Sequence, residues 1–251
     1  MTALVNARIE THELHIASPH SHDAGQFTFV EQGACSLEAG GRVWAVPAGK
    51  LYWIPAGVIH AAGSRGPVRG WLTVVPQELT RHLPDDICVL TASALLLAAL
   101  ERMRLISLED AMVGPLTEII ALEIAAIGRE APGLTLPRTL AMREWALRFL
   151  ASPNSKTGVD QAAREVAMSR RSFTRHFEQE VGISFSLWKR AAIVHHAIAR
   201  LAEGISVGDL AYEVGYENTS AFIAMFKASC GSSPRAFQQS QEILQRPTAA
   251  G

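Results

Sequence analysis

The sequence predicts an α+β multidomain chain: a small N-terminal β-barrel or sandwich, a helical connecting segment, and an all-α C-terminal domain with two helix-turn-helix motifs. Three observations predict it. Short β-type runs separated by Gly and Pro fill residues 4–80, helical periodicity takes over at 91–129, and the C-terminal half contains one supersecondary unit twice. The expected divisions are 1–88, 89–133 and 134–240.

The 251 residues suffice for two domains with cores of their own, and 48% hydrophobic against 19% charged residues excludes general disorder. No apolar run is long enough to span a bilayer, and Arg8, Glu10 and Glu13 interrupt the start, so neither a membrane helix nor a secretion signal is expected. Cys35, Cys88 and Cys230 lack disulfide or metal spacing, which fits a reducing, cytoplasmic setting. Charge is unevenly shared. Residues 1–133 carry 9 basic and 14 acidic side chains, whereas residues 134–251 carry 14 and 10, so the basic half is the one with the duplicated unit.

The β-type runs are 26–31, 34–38, 42–46, 50–54 and 69–75. Among them lie His20-x-His22, Gln26, and the segment Trp53-Ile-Pro-Ala-Gly-Val-Ile-His60. In an extended strand His20 and His22 share a face, and the Pro55–Gly57 turn returns His60 toward them. His12 and His15 lie just upstream. Trp44, Tyr52, Trp53 and Trp71 form either an aromatic wall for a ligand or ordinary core. No acid, base or nucleophile accompanies the histidines, so an enzyme is not expected.

Next, Leu95, Leu96, Ala99 and Met103 mark one helix face and Leu116, Ile119, Ile120, Glu123, Ile124 and Ile127 a second, with Gly114–Pro115 between them. This pair either packs within its own domain or meets a second copy in a homodimer. Residues 131–136 read as a linker, and Pro137 suits the first position of a helix to Leu150 whose buried side includes Leu140 and Leu147.

The centre of the second half is Val159–Gly182. Asp160 is placed to cap a short helix, and Ser169 caps a second in which Phe173 and Phe177 face inward while Arg170, Arg171, Thr174 and Arg175 face out. The unit recurs at 209–231: Phe173, Phe177 and Gly182 match Phe222, Phe226 and Gly231, with one extra residue in the second turn. Between the copies, residues 184–203 predict one helix of about 30 Å, close to the ~34 Å of one turn of B-DNA. Two recognition helices so spaced suit successive major grooves of double-stranded DNA. The tail after Gln238 is expected to fray.

Two resemblances sharpen this. HSHDAGQF followed by IPAGVIH is similar to the two halves of the cupin signature, which implies a cupin-like barrel using His20, His22, Gln26 and His60 to bind a small molecule or a divalent metal such as Zn, Ni or Fe. Gln26 stands where the metal-binding pattern more often has Glu, a better ligand than a neutral amide. Residues 138–238, through the first motif, Trp188-Lys-Arg190, and the run Ile205-Ser-Val-Gly-Asp-Leu-Ala-Tyr-Glu-Val-Gly-Tyr216 to Pro234, resemble the DNA-binding domain of AraC-type bacterial transcription regulators. That implies base reading by Arg171, Thr174 and Arg175 in the first motif and by Asn218, Thr219, Ser220 and Ile223 in the second, with Arg170 on phosphate. It further implies an effector-controlled regulator, a homodimer, RNA polymerase as a candidate partner, and target genes for export or detoxification. The competing function is a metal-dependent cupin oxygenase or isomerase fused to a DNA-binding module.

Overall fold

A computed structural model describes residues 5–12, 15–127 and 133–245. The chain forms two units, one of residues 1–40, 46–132 and 244–251, the other of 41–45 and 133–243.

The first unit contains the predicted strands and others the residue pattern did not mark. One sheet has the order β1-β8-β3-β6-β9, from Val5–Thr11 (β1), Val68–Pro76 (β8), Ala24–Gln32 (β3), Lys50–Ile54 (β6) and Cys88–Thr91 (β9), paired antiparallel throughout. Ala34–Ala39 (β4), His60–Ser64 (β7) and His15–Ile16 (β2) are neighbours in a second sheet. The faces of the first sheet differ. Phe27, Leu51, Trp53, Trp71 and Leu90 pack under α1 (Ala94–Arg104) and α2 (Val113–Ile127) through Leu96, Leu100, Met103, Leu116, Ile120 and Ile124. The opposite face meets the second sheet: Tyr52 lies beside Cys35, and Thr11 Oγ1 is 3.1 Å from Ser64 Oγ.

This arrangement corrects several expectations. Trp53 and Trp71 do not join Tyr52 in an aromatic wall, because alternation along β6 sends Trp53 to the helix-covered face, where its indole N–H donates to the Pro84 carbonyl at 2.8 Å. Trp71 carries the Arg104 guanidinium over its ring at 4.8 Å. The two helices pack on each other and on that sheet within the unit. Leu95 is exposed, however, and Leu100 takes its place in the core. Gly114 and Pro115 are not between helices but in the first turn of α2, where proline's missing N–H costs no bond.

The second unit is helical apart from the pairing of Val43 and Arg42, in Arg42–Pro47 (β5), with Leu134–Thr135 (β10). Two of the six expected linker residues are therefore strand, and residues 128–132 lie outside the described residues. Helix α3, Leu140–Ala151, begins three residues after Pro137, at the Thr139 cap. Its core side is Met142, Trp145, Ala146, Phe149 and Leu150, whereas Leu140 and Leu147 are exposed. The motifs are α4 (Val159–Glu165) with α5 (Arg170–Val181), and α7 (Val207–Glu213) with α8 (Thr219–Cys230). Between them α6 spans Phe185–Ala202, and α9 runs from Pro234 to Gln245, so residues 239–245 are helix rather than frayed tail. His12 is exposed near Glu10, and the His15 side chain lies outside the described residues. No described helix is long and apolar enough to cross a membrane.

Candidate nucleic-acid interface and effector site

Each motif is built on the same skeleton. Phe173 and Phe177 in α5, and Phe222 and Phe226 in α8, are fully buried in one core with Trp145 and Trp188. Both helices end on a left-handed glycine, Gly182 at φ 82° and Gly231 at φ 75°. Ser169 caps α5 by accepting from Ser172 N–H at 3.2 Å, and Asn218 caps α8 by accepting from Ala221 N–H at 2.8 Å. In the turns, Ala167 (φ 55°) and Gly215 (φ 83°) occupy the same place and the same left-handed conformation. Glycine is required in the second for an added reason: a Cβ there would lie 2.4 Å from Asn154 Oδ1.

With the aromatic side inward, α5 exposes Arg170, Arg171 and Arg175, with Thr174 partly exposed between them. These four line an open hollow of about 760 Å³ together with Glu178 and Gln179, two residues the motif reading had not included. Asp160 does not cap α4, whose cap position is Gly158; its carboxylate instead holds Arg170 at 3.0 Å. Among the described residues Arg171 and Arg175 have no ion-pair partner, although Arg175 lies 3.1 Å from His176 Nε2. On α8, Thr219, Ser220 and Ile223 reach the surface wholly or partly, while the Asn218 oxygen is engaged in its cap. The first cation of α8 is Lys227, in its last turn.

Two ties fix the second motif. Glu213 in α7 accepts from Arg200 of α6 at 2.9 Å and pairs with the buried His196 at 2.7 Å. The Arg200 bonds are the main cause that holds the Glu213 carboxyl below the ordinary range. The loop ahead of α4 docks on the second turn, with Ser155 N–H donating to Val214 O at 2.8 Å and Ser155 Oγ donating to Gly215 O at 2.7 Å.

In the first unit, His20 is not in a regular strand. Its backbone exchanges two hydrogen bonds with His60, at 2.9 and 3.0 Å, and the turn ending at Gly57 donates to His22 O at 2.9 Å. The rings therefore gather, with centroids 4.4 Å (His20 to His60), 5.1 Å (His22 to His60) and 6.3 Å (His20 to His22) apart. Each Nδ1 faces a main-chain carbonyl, Ser18, Ala24 or Val58, which selects the tautomer with its lone pair on Nε2. The amide end of Gln26 is 3.0 Å from His22 Nε2 and 2.9 Å from Thr28 Oγ1. The pairing that satisfies all three has the amide NH₂ donating to His22 and the Thr28 hydroxyl donating to the amide oxygen. Thr28 in turn bonds Tyr52, whose phenol burial keeps protonated.

His60 is the exception. Its Nε2 is buried with no hydrogen-bond partner among the described residues, and burial, reinforced by the charges of His20 and His22, lowers its pKa. The residues do not fit a ready metal centre: Gln26 occupies the His22 lone pair, and among the described residues no group of three His, Cys, Asp or Glu is arranged to hold an ion.

Known protein families match both halves of the chain. The helix-turn-helix domain profile matches residues 162–240, and the AraC-like ligand binding domain profile matches residues 6–105. The HTH-type transcriptional regulator NimR of Escherichia coli (strain K12) is 27% identical over 224 residues, 87% of this chain and 81% of that protein. The HTH-type transcriptional regulator RipA of Corynebacterium diphtheriae is 30% identical over 102 residues, 41% of this chain and 30% of that one. The solved structure of ToxT from Vibrio cholerae aligns at TM-score 0.40 and 10% identity over 95% of this chain and 98% of that one. The chain belongs to the AraC-type transcription regulators, with an AraC-like ligand-binding domain and a helix-turn-helix DNA-binding domain.

Proposed function

We propose that this regulator reads its operator mainly through α5 and that an effector bound at the His20, His22 and His60 cluster changes its affinity for DNA. The α5 reading rests on Arg171 and Arg175, four residues apart on an exposed face, with no carboxylate among the described residues paired to either. Arginine makes a bidentate contact to guanine at about 1–3 kcal/mol of discrimination. Thr174 reads alongside them, and Asn218, Thr219, Ser220 and Ile223 supply weaker base and shape contacts that fix register.

The effector reading rests on one observation, the buried unpartnered Nε2 of His60. A neutral imidazole presenting a lone pair favours a ligand with an O–H or N–H to donate, so the effector is a small polar organic molecule. Control requires only that it bind the two DNA-affinity states unequally. The protein works as a regulator rather than an enzyme, as its named relatives do. It acts in the cytoplasm as a homodimer, with RNA polymerase as a further partner and export or detoxification genes as targets; the last rests on the pairing of HSHDAGQF with WIPAGVIH.

A second reading, a metal sensor, rests on His20 and His60, whose Nδ1 bonds leave Nε2 as the donor atom; His22 could join them only on release of Gln26. Elemental analysis of the purified chain and of H20A/H60A separates the two. About one Zn, Ni or Fe per chain, lost in the variant, replaces the organic-ligand reading with the metal one. No metal in either directs a thermal-shift screen of organic ligands, in which hits must disappear in H60A.

A further inference from the structure

We propose that Arg190, with Ser186 and Tyr216, seats a DNA backbone phosphate at the junction of the two helix-turn-helix motifs. The inference rests on the DNA-binding reading above and adds a contact outside both recognition helices.

The place is a cleft of about 310 Å³ lined by Ser155, Ser186, Lys189, Arg190, Ile193 and Tyr216. Two cations and three hydroxyl-bearing side chains line it, and no carboxylate does. The cations are not equivalent. Lys189 Nζ already donates to Ser155 O at 2.7 Å and Thr157 O at 2.8 Å, so its ammonium braces the loop that precedes α4. Burial, followed by the charge of Arg190, lowers the Lys189 pKa, as expected of two cations held side by side without a counter-ion. Arg190 makes no hydrogen bond or ion pair with any described residue, and its side chain is exposed to solvent. Glu217, the residue after Tyr216, pairs with Lys156 at 3.2 Å.

An unspent guanidinium beside a second cation and two free-standing hydroxyls is complementary to a phosphate, whose oxygens accept its paired N–H groups. The location selects DNA over a free anion. Tyr216 lies in the second turn, two residues before the cap of α8, and Ser155 belongs to the loop leading into α4, so both motifs border the cleft. A helix-turn-helix motif turns its second helix to the major groove. A backbone strand passing from one occupied groove to the next therefore runs past the junction.

The test uses the full chain and a duplex selected by it from a random-sequence pool. Affinity is measured against salt for the wild type, R190Q and R190K, with melting midpoints as a check on folding. In R190Q the slope of log K against log salt should shrink by about 0.9, the value for one phosphate, with R190K restoring it and the ranking of base substitutions unchanged. An R190Q slope equal to wild type overturns the proposal, and so does a changed base ranking, which would make Arg190 a base reader. Inorganic phosphate is the control probe: a thermal shift that R190Q abolishes while the DNA slope is retained identifies a free-anion site instead. Failure of the wild type to select any duplex overturns the DNA-binding reading itself, an outcome distinct from a normal slope in R190Q.

Discussion

Helix α5 turns three arginines and a threonine outward, whereas the matching stretch of α8 turns out Ser220, Ala221 and Ala224 and holds no cation before Lys227. Beneath these faces the two helices are nearly the same object: two buried phenylalanines four residues apart, a side-chain cap at one end and a left-handed glycine at the other. The inner face specifies the fold and the outer face is free to vary, because helical periodicity assigns them to different residues. The motifs are anchored differently, the second through Glu213, His196, Arg200 and Ser155, the first through Glu180 of α5, which accepts from the Arg138 and Thr139 N–H groups at 2.6 and 2.9 Å. On the proposed reading the first motif supplies the base contacts and the second fixes register.

The largest expected effects test the shared skeleton. Phe177→Ala and Phe226→Ala should each cost about 3–5 kcal/mol of stability, measured by denaturant unfolding of the full chain; a cost in one several-fold above the other would break the equivalence of the inner faces. The outer faces should then differ. Arg175→Ala should lose about 1–3 kcal/mol of base discrimination and with it sequence-specific binding, while Thr219→Ala loses much less, in titrations at one salt concentration. Equal losses refute the division between reading and holding.

The turns sharpen the comparison further. Ala167→Gly relieves a left-handed alanine and should stabilise by about 1 kcal/mol. Gly215→Ala should destabilise by more than that, because its Cβ also meets Asn154. Matching melting shifts of opposite sign would mean that docking of the Asn154 loop adds nothing. The smallest effect is on the acid limb of stability. Because Glu213 has a depressed folded pKa, its bonds contribute above the ordinary glutamate range of about 4.3 and are lost as pH falls through and below it. Glu213→Gln should therefore flatten the melting curve's fall between neutral and acid pH, and an unchanged acid limb would show that Arg200 does not anchor α7 through charge.

Much of this was legible in the residues. The repeat at 159–182 and 209–231 carries local signals, caps, paired aromatics and terminal glycines, that need no tertiary contact to be read. The five β-type runs were legible as well, but β7 and β9 were not, because HAAGS and CVLT are short and lack alternation. The aromatics of β6 and β8 were ambiguous for a related reason: both faces of their sheet are covered, one by helices, so no polar side marks the direction. Gathering of the histidines followed from the Pro55–Gly57 turn, yet Gln26 binding His22 depends on a side-chain geometry that spacing does not encode. The Arg190 cleft was invisible for the plainest reason. It joins Ser155 to Tyr216 across about sixty residues, and only folding brings them together.

Helix α6 links the two motifs without a break, and this limits how such a regulator can diverge. Inserting a single residue into an α-helix advances the rest of the helix by about 1.5 Å and rotates it by about 100°, which would swing α7 and α8 relative to α5. On the proposed reading, substitutions on α5 retarget the bases read one at a time, whereas the separation of the two half-sites changes only in whole helical repeats. A lineage carrying this connector is free to evolve new operator letters while its operator spacing stays frozen.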